Sequence, residues 1–172
     1  SARRILQRMN VRVVCTTDDP VDTLEHHLIL KEERSFPVKV LPAFRPDKAL
    51  AVDSPVLFND WVEQLEAATG MDIADYTSFL AAIRKRHDFF HEVGCRLSDH
   101  GIEHPYAAAH SGKDARQAFD KARQGRKPTA GEALKYKSAV MIELARMNAE
   151  KDWTQQFHLG ALRNVNSRAL KT

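Results

Sequence analysis

The chain has 172 residues, of which 43% are hydrophobic and 28% are charged, and its net charge at pH 7 is +3. This length suits one domain with a substantial core. The basic residues are scattered among acidic ones, which argues against a nucleic-acid binder. No apolar run approaches the ~20 residues of a membrane span, and Cys15 and Cys95 are too few for a disulfide framework. We therefore expect a cytoplasmic protein without nucleic-acid or membrane partners.

Short β-rich runs alternate with long amphipathic segments along the chain. The first run, VRVVCTT, predicts a strand near 12–16. After it, Asp19 is suited to cap a helix that has Pro20 at its first position. The second run, PVKVLPAF, predicts a strand near 38–43, and Pro46 ends it.

Helical signals fill the middle of the chain. Ser54-Pro55 predicts the start of one helix, which runs to Gly70. Asp72 then predicts the start of a second, longer helix over 73–93. The apolar residues of that stretch recur mostly every three or four positions, the period of a helix. The run CRLSD then predicts a third strand near 95–98.

The last part of the chain repeats the alternation. A short helix is predicted over 114–124, and Thr129 and Glu132 have the spacing of a capping box for a helix over 130–149. The run WTQQFHLG predicts the fourth strand near 154–158.

Four consecutive β/α units predict an α/β fold with a parallel sheet. They form one domain over 1–172, with helical insertions near 55–93 and 114–149. An open doubly wound sheet and part of a (β/α)₈ barrel both fit this order of elements, and hydrophobic periodicity does not separate them.

Polar side chains follow each predicted strand. The clusters are 16–19, 45–48 and 98–100 after the first three strands, and His158, Gly160, Arg163, Asn164 and Asn166 after the fourth. Because the carboxyl ends of parallel strands share one face, these clusters can converge on one pocket. Arg45 and Arg163 suit a carboxylate, since guanidinium offers paired donors. Asp99, His100 and His158 can handle protons or bind hydroxyls.

Structural roles compete with these functional ones. Asp19 reads as a helix cap, and Arg45 could serve as an ordinary loop arginine. Four histidines fall on predicted helices, where surface or packing roles are the rule: His26, His27, His87 and His91. The last two are four residues apart, as in some metal sites, but no carboxylate spacing reinforces them.

Four segments together resemble the central part of the uronate isomerase family, also called glucuronate isomerase. They are CTTDDPVDTLEHH, VLPAFRPDKAL, GCRLSDHGIE and QQFHLGALRNVNSR, in the family's order and with similar gaps over 1–168. The resemblance implies four consecutive units of a (β/α)₈ TIM-type barrel of the amidohydrolase superfamily. It also implies interconversion of D-glucuronate and D-fructuronate, and of D-galacturonate and D-tagaturonate, by proton transfer through an enediol.

The same resemblance implies roles for four residues. Arg45 and Arg163 match residues expected to bind the hexuronate substrate, and Asp99 and His158 match residues of the catalytic pocket. A divalent metal, with zinc as the expected ion, belongs to the family site, and His158 could approach either metal or substrate. The family's His-x-His pair and its last-strand aspartate have no counterpart here, so the metal ligands are expected outside this chain.

We therefore expect a central fragment of a homo-oligomeric uronate isomerase that is inactive alone. The alternative is a free-standing α/β module that binds sugar acids or assembles with other chains without catalysis. An upstream His-x-His in the same gene would favour the enzyme.

Overall fold

The computed structural model of the protein describes residues 1–33 and 35–160. The helices are α1 (Ala2–Arg8), α2 (Glu25–Glu32), α3 (Pro55–Thr69), α4 (Tyr76–Val93), α5 (Gly112–Arg123) and α6 (Ala130–Glu150), with a 3₁₀ turn at Asp47–Leu50. The strands are β1 (Val13–Cys15), β2 (Lys39–Leu41), β3 (Leu97–Ile102) and β4 (Thr154–Leu159). Within these residues, no helix is both long and apolar enough to cross a membrane.

The strands are parallel and follow one another in chain order. β1 pairs with β2, and β3 pairs with β4. Phe44, just beyond β2, joins the two pairs, because it forms parallel bridges to Asp18 on one side and to Ser98 on the other. The expectation of an α/β fold with parallel strands is confirmed. The carboxyl ends of all four strands consequently lie on one side of the molecule.

Helices α3 to α6 supply most of the core. Their apolar faces bring aromatic rings together in edge-to-face contacts, such as Phe58 against Phe119 with ring centroids 5.9 Å apart. Phe44 packs in the same way on Phe90 of α4, at 5.0 Å. The end of β2 is thereby fixed on the helical layer. This anchoring positions the polar residues that follow Phe44.

The predicted cap of α2 is wrong. α2 begins at Glu25, and Leu24 precedes it in a left-handed conformation with φ 55°. Asp19 instead accepts hydrogen bonds from the backbone N–H of Val21 and from Nε1 of Trp61, at 3.1 and 2.8 Å. Because a distant tryptophan engages the carboxylate, 19–24 forms a turn before the helix starts.

The start of α4 also differs from the prediction. Asp75, and not Asp72, is the cap: it accepts a hydrogen bond from the N–H of Ser78, whose hydroxyl accepts one from the N–H of Asp75. The N–H of Ile73 donates to the carboxylate of Glu66 at 3.0 Å, which holds the preceding residues in a loop.

The bounds of β3 and α5 also differ from the prediction. β3 continues to Ile102, beyond the predicted 95–98, because it pairs with β4 along its whole length. α5 begins at Gly112, where Ser111 is the cap. The capping box that was predicted for α6 at Thr129 is present.

Candidate active site

Arg45 lies at the carboxyl end of the parallel strands. Its N–H donates to the carbonyl of Asp18 at 2.9 Å, so its backbone extends the pairing of β1 with β2. Its Nη2 atom donates to Oδ2 of Asp99. Its Nε atom lies 3.9 Å from Oδ2 of Asp47. The guanidinium therefore faces two carboxylates, and a quarter of the side chain remains exposed.

Asp99 is almost completely buried, with 5% of its surface exposed. Side chains alternate along β3, so Asp99 points away from the face that carries Ser98 and His100. The register of the pair places Asp99 opposite Gln156 and Gly101 opposite His158. Paired residues of parallel strands point the same way, which directs Asp99 and His158 to the same face.

His158 contacts Asp99 across the two strands. Its Nε2 atom lies 3.0 Å from Oδ1 of Asp99, and the side-chain amide of Gln156 approaches the same nitrogen to 2.6 Å. The imidazole is about half exposed. Asp99 thus joins a guanidinium on one oxygen to an imidazole on the other, and both of these partners are partly exposed.

The structure brings three of the four expected site residues together: Arg45, Asp99 and His158. Arg163, together with Asn164 and Asn166, lies outside the described residues. The three side chains meet on one side as predicted, but Asp99 lies within β3 and not after it, His158 is the next-to-last residue of β4, and Arg45 follows β2. Their roles in binding and catalysis stay predictions.

Asp47 is a neighbour of the site to which sequence reasoning assigned no separate role. Its Oδ2 atom accepts a hydrogen bond from the N–H of Gly101 at 3.0 Å, and its Oδ1 atom lies 3.8 Å from Nδ1 of His100. His100 is fully buried, and this burial lowers its pKa from 6.5 to about 4. His100 is therefore neutral at pH 7. Its Nδ1 atom faces Asp47, and its side chain lies on the face of β3 opposite to that of Asp99.

A second polar cluster forms at the end of β1. The hydroxyl of Thr16 donates to Oδ2 of Asp18 at 2.6 Å and lies 2.7 Å from Nε2 of His27. His27, expected in a surface or packing role, is buried against this strand end. These contacts hold the Asp18 carboxylate, which also accepts a hydrogen bond from the N–H of Ala43. The His27 contact could not be predicted from the sequence, because it depends on where α2 packs.

The described residues contain no cluster of three or more His, Cys, Asp and Glu side chains that could hold a metal ion. Asp99 and His158 supply two donors. His87 and His91 do not form a metal pair, since His87 bonds to Asn148 and His91 accepts from Nε1 of Trp153. These described residues therefore do not make up a complete metal site, and the location of any metal ligands stays a prediction.

Parallel strands that carry a buried carboxylate and an imidazole, with a guanidinium just beyond β2, define the class: an α/β protein with a candidate ligand site toward the carboxyl ends of its strands. Over residues 1–172 the chain matches the family described as glucuronate isomerase. It belongs to that family.

Relatives and solved structures agree with this assignment. The chain is 49% identical to a uronate isomerase of Bacteroides thetaiotaomicron over 171 residues, which are 99% of this chain and 36% of that protein. A uronate isomerase of Bacillus subtilis is 45% identical over 170 residues, 99% of this chain and 36% of that protein. The crystal structure of uronate isomerase from Thermotoga maritima superposes with a TM-score of 0.92 at 39% identity, covering 99% of this chain and 37% of that chain. The chain thus spans about a third of the length of the curated relatives it matches.

Proposed function

We propose that this chain is the central part of a uronate isomerase that interconverts D-glucuronate with D-fructuronate and D-galacturonate with D-tagaturonate. The contact of Arg45 and His158 with one buried carboxylate, Asp99, carries the proposal. We further propose that β1 to β4 are four consecutive strands of a (β/α)₈ barrel, which takes about 250 residues when complete. A cytoplasmic location and a homo-oligomeric assembly belong to the same proposal.

The isomerisation moves a proton from C2 to C1 of the sugar through an enediol, which needs a proton carrier and a charged partner for the substrate. In our proposal Arg45, joined by Arg163, binds the hexuronate carboxylate in paired hydrogen bonds. His158 and Asp99, in contact with each other, exchange protons with substrate hydroxyls. A divalent metal, with zinc as the expected ion, would have its ligands outside this chain, and no step here depends on it.

The proposal is tested with the full-length protein that contains this segment. Purified protein is incubated with D-glucuronate and, separately, with D-galacturonate, and ketose formation is followed by NMR. We expect turnover of both acids. His158→Gln and His26→Gln provide a matched pair, because the first removes a site imidazole and the second an exposed one. Only the first should reduce turnover. Binding of either acid without turnover would favour the alternative, a sugar-acid binding module.

A further inference from the structure

A series of buried polar contacts leads from the helical layer to the site. His87 of α4, Asn148 of α6 and Ser98 of β3 are all nearly or fully buried. Nε2 of His87 lies 3.1 Å from Oδ1 of Asn148, and Nδ2 of Asn148 donates to the hydroxyl of Ser98 at 2.8 Å. That hydroxyl lies 2.9 Å from Nε2 of His100. Two helices are thus connected to the strand that carries Asp99.

These contacts favour one tautomer of His100, in which the otherwise unused proton of the Ser98 hydroxyl is donated to the ring. The Ser98 hydroxyl already accepts from Asn148, so its single proton can be donated to Nε2 of His100. The proton of the neutral imidazole then resides on Nδ1, the nitrogen that faces Asp47. The ring plane is further held by Phe157, whose ring centroid is 5.5 Å away.

Asp47 stands between this network and the candidate site. One of its oxygens faces His100, while the other accepts the N–H of Gly101 and lies near Nε of Arg45. Arg45 in turn donates to Asp99 through Nη2. The Arg45 guanidinium therefore lies between the carboxylates of Asp47 and Asp99. Asp47 is also the carboxylate that lies 3.8 Å from the buried His100.

We propose that His100 and Asp47 are positioning residues of the isomerase site. The Nδ1–H of His100 orients the Asp47 carboxylate, and Asp47 fixes the guanidinium of Arg45 for Asp99 and the substrate. This inference rests on the proposed function. It requires an N–H dipole directed at Asp47 from the position of Nδ1, across the 3.8 Å that separates Nδ1 from Oδ1, whereas a packing role for His100 requires only its volume.

Two substitutions of His100 in the full-length protein separate these roles. The side-chain amide of asparagine lies near the position of Nδ1, and that of glutamine lies near the position of Nε2. His100→Asn therefore keeps a donor toward Asp47, and His100→Gln does not. We expect kcat/KM for D-glucuronate to be several-fold higher in His100→Asn than in His100→Gln, mainly through a lower KM, because only the first directs an N–H dipole at the Asp47 carboxylate.

A third variant decides the question if both His100 variants fold poorly. Asp47→Asn keeps an acceptor for Gly101 but removes the negative charge near Arg45, so it should raise KM by about tenfold or more. Calorimetric binding of D-glucarate, a diacid with no aldehyde to isomerise, should weaken in parallel, while the melting temperature stays near that of the unmodified protein.

Different outcomes test the positioning role of His100 and Asp47 and the proposed isomerase function. Equal kcat/KM in the two His100 variants, or unchanged KM and glucarate binding in Asp47→Asn, would overturn the positioning role. An unmodified full-length protein with no isomerase activity would refute the proposed function, and glucarate binding would still measure whether Asp47 and His100 position Arg45.

Discussion

Arg45 lies between two carboxylates, and this arrangement determines what it can offer a ligand. Its Nη2 atom is engaged by Asp99, and its Nε atom lies near Asp47. A guanidinium has five N–H donors, so these two contacts leave donors for a substrate carboxylate. The side chain is also partly exposed, which allows a ligand to reach it.

Replacing Arg45 with alanine in the full-length protein should raise KM for D-glucuronate and lower kcat. A lost charge-assisted contact costs about 1.5–3 kcal/mol, which corresponds to roughly 10- to 150-fold in kcat/KM. Arg45→Lys is the matched control, because it keeps the charge but loses the paired donors, and it should restore only part of the loss. Steady-state kinetics measure both variants. Unchanged KM and kcat in Arg45→Ala would show that Arg45 is an ordinary loop residue with no role in substrate binding.

The buried histidine His87 should make stability depend on pH. Burial lowers its pKa from 6.5 to about 4, so between these values the unfolded chain binds a proton that the folded chain does not. The free energy of unfolding is therefore highest above pH 6.5. It falls by about 3 kcal/mol on account of this residue as the pH drops toward 4. His87→Gln keeps a donor for Asn148 without titrating. Melting temperatures of the full-length protein, recorded from pH 7.5 to pH 4.5, should fall less steeply in this variant; parallel curves would contradict the prediction.

Single residues were predictable where a general rule of parallel sheets applied. Arg45, Asp99 and His158 were identified because polar side chains toward the carboxyl ends of parallel strands meet at one face, although Asp99 and His158 proved to lie within β3 and β4. The contacts of Asp47 and His100 were not predicted, since they depend on how closely the 3₁₀ turn approaches β3. Spacing along the chain carries no information about such an approach.

At the level of elements, α6 carries a local signal that can be tested. Thr129 accepts a hydrogen bond from the N–H of Glu132 through its side chain, and Glu132 accepts one from the N–H of Thr129. Thr129→Ala should destabilise the protein by about 0.5–2 kcal/mol, because an N–H at the start of the helix loses its acceptor. Thr129→Ser keeps the hydroxyl and should remain close to the unmodified protein. Thermal unfolding of both variants measures the difference, and equal melting temperatures would refute the role of the cap.

The order and type of the elements followed from the sequence, while some of their boundaries did not. The Thr129 cap was predicted correctly because the interaction is confined to four residues. The Asp19 cap was wrong because Trp61, 42 residues away, binds the same carboxylate. Local signals fail where a tertiary contact competes for the same polar group.

At the level of the whole molecule, the last described strand presents apolar side chains to solvent. Phe157 and Leu159 of β4 are 46% and 54% exposed, and Ile142 of α6 is 46% exposed beside them. Within the described residues β4 pairs only with β3. Exposed strand edges with apolar side chains tend to pair with other chains. We expect this surface to be covered in the full-length protein by the next β/α unit of the proposed barrel.

The 172-residue chain alone should show no measurable isomerase activity, even with added zinc or manganese. It supplies Arg45, Asp99 and His158, but its sequence contains no His-x-His, the pair that resemblance assigns to metal binding. Positioned acid–base groups typically contribute about 10²–10⁴-fold, so a site without its metal ligands and with only part of its acid–base groups should turn over little substrate. In the proposed barrel, the absence of the remaining strands adds to this loss, because a displacement of about 1 Å in a site can cost about 10²-fold. The test incubates the purified chain with D-glucuronate and each metal, beside the full-length protein as the positive control. Ketose formation by the chain, in a preparation from a host without its own uronate isomerase, would show that these 172 residues suffice for catalysis.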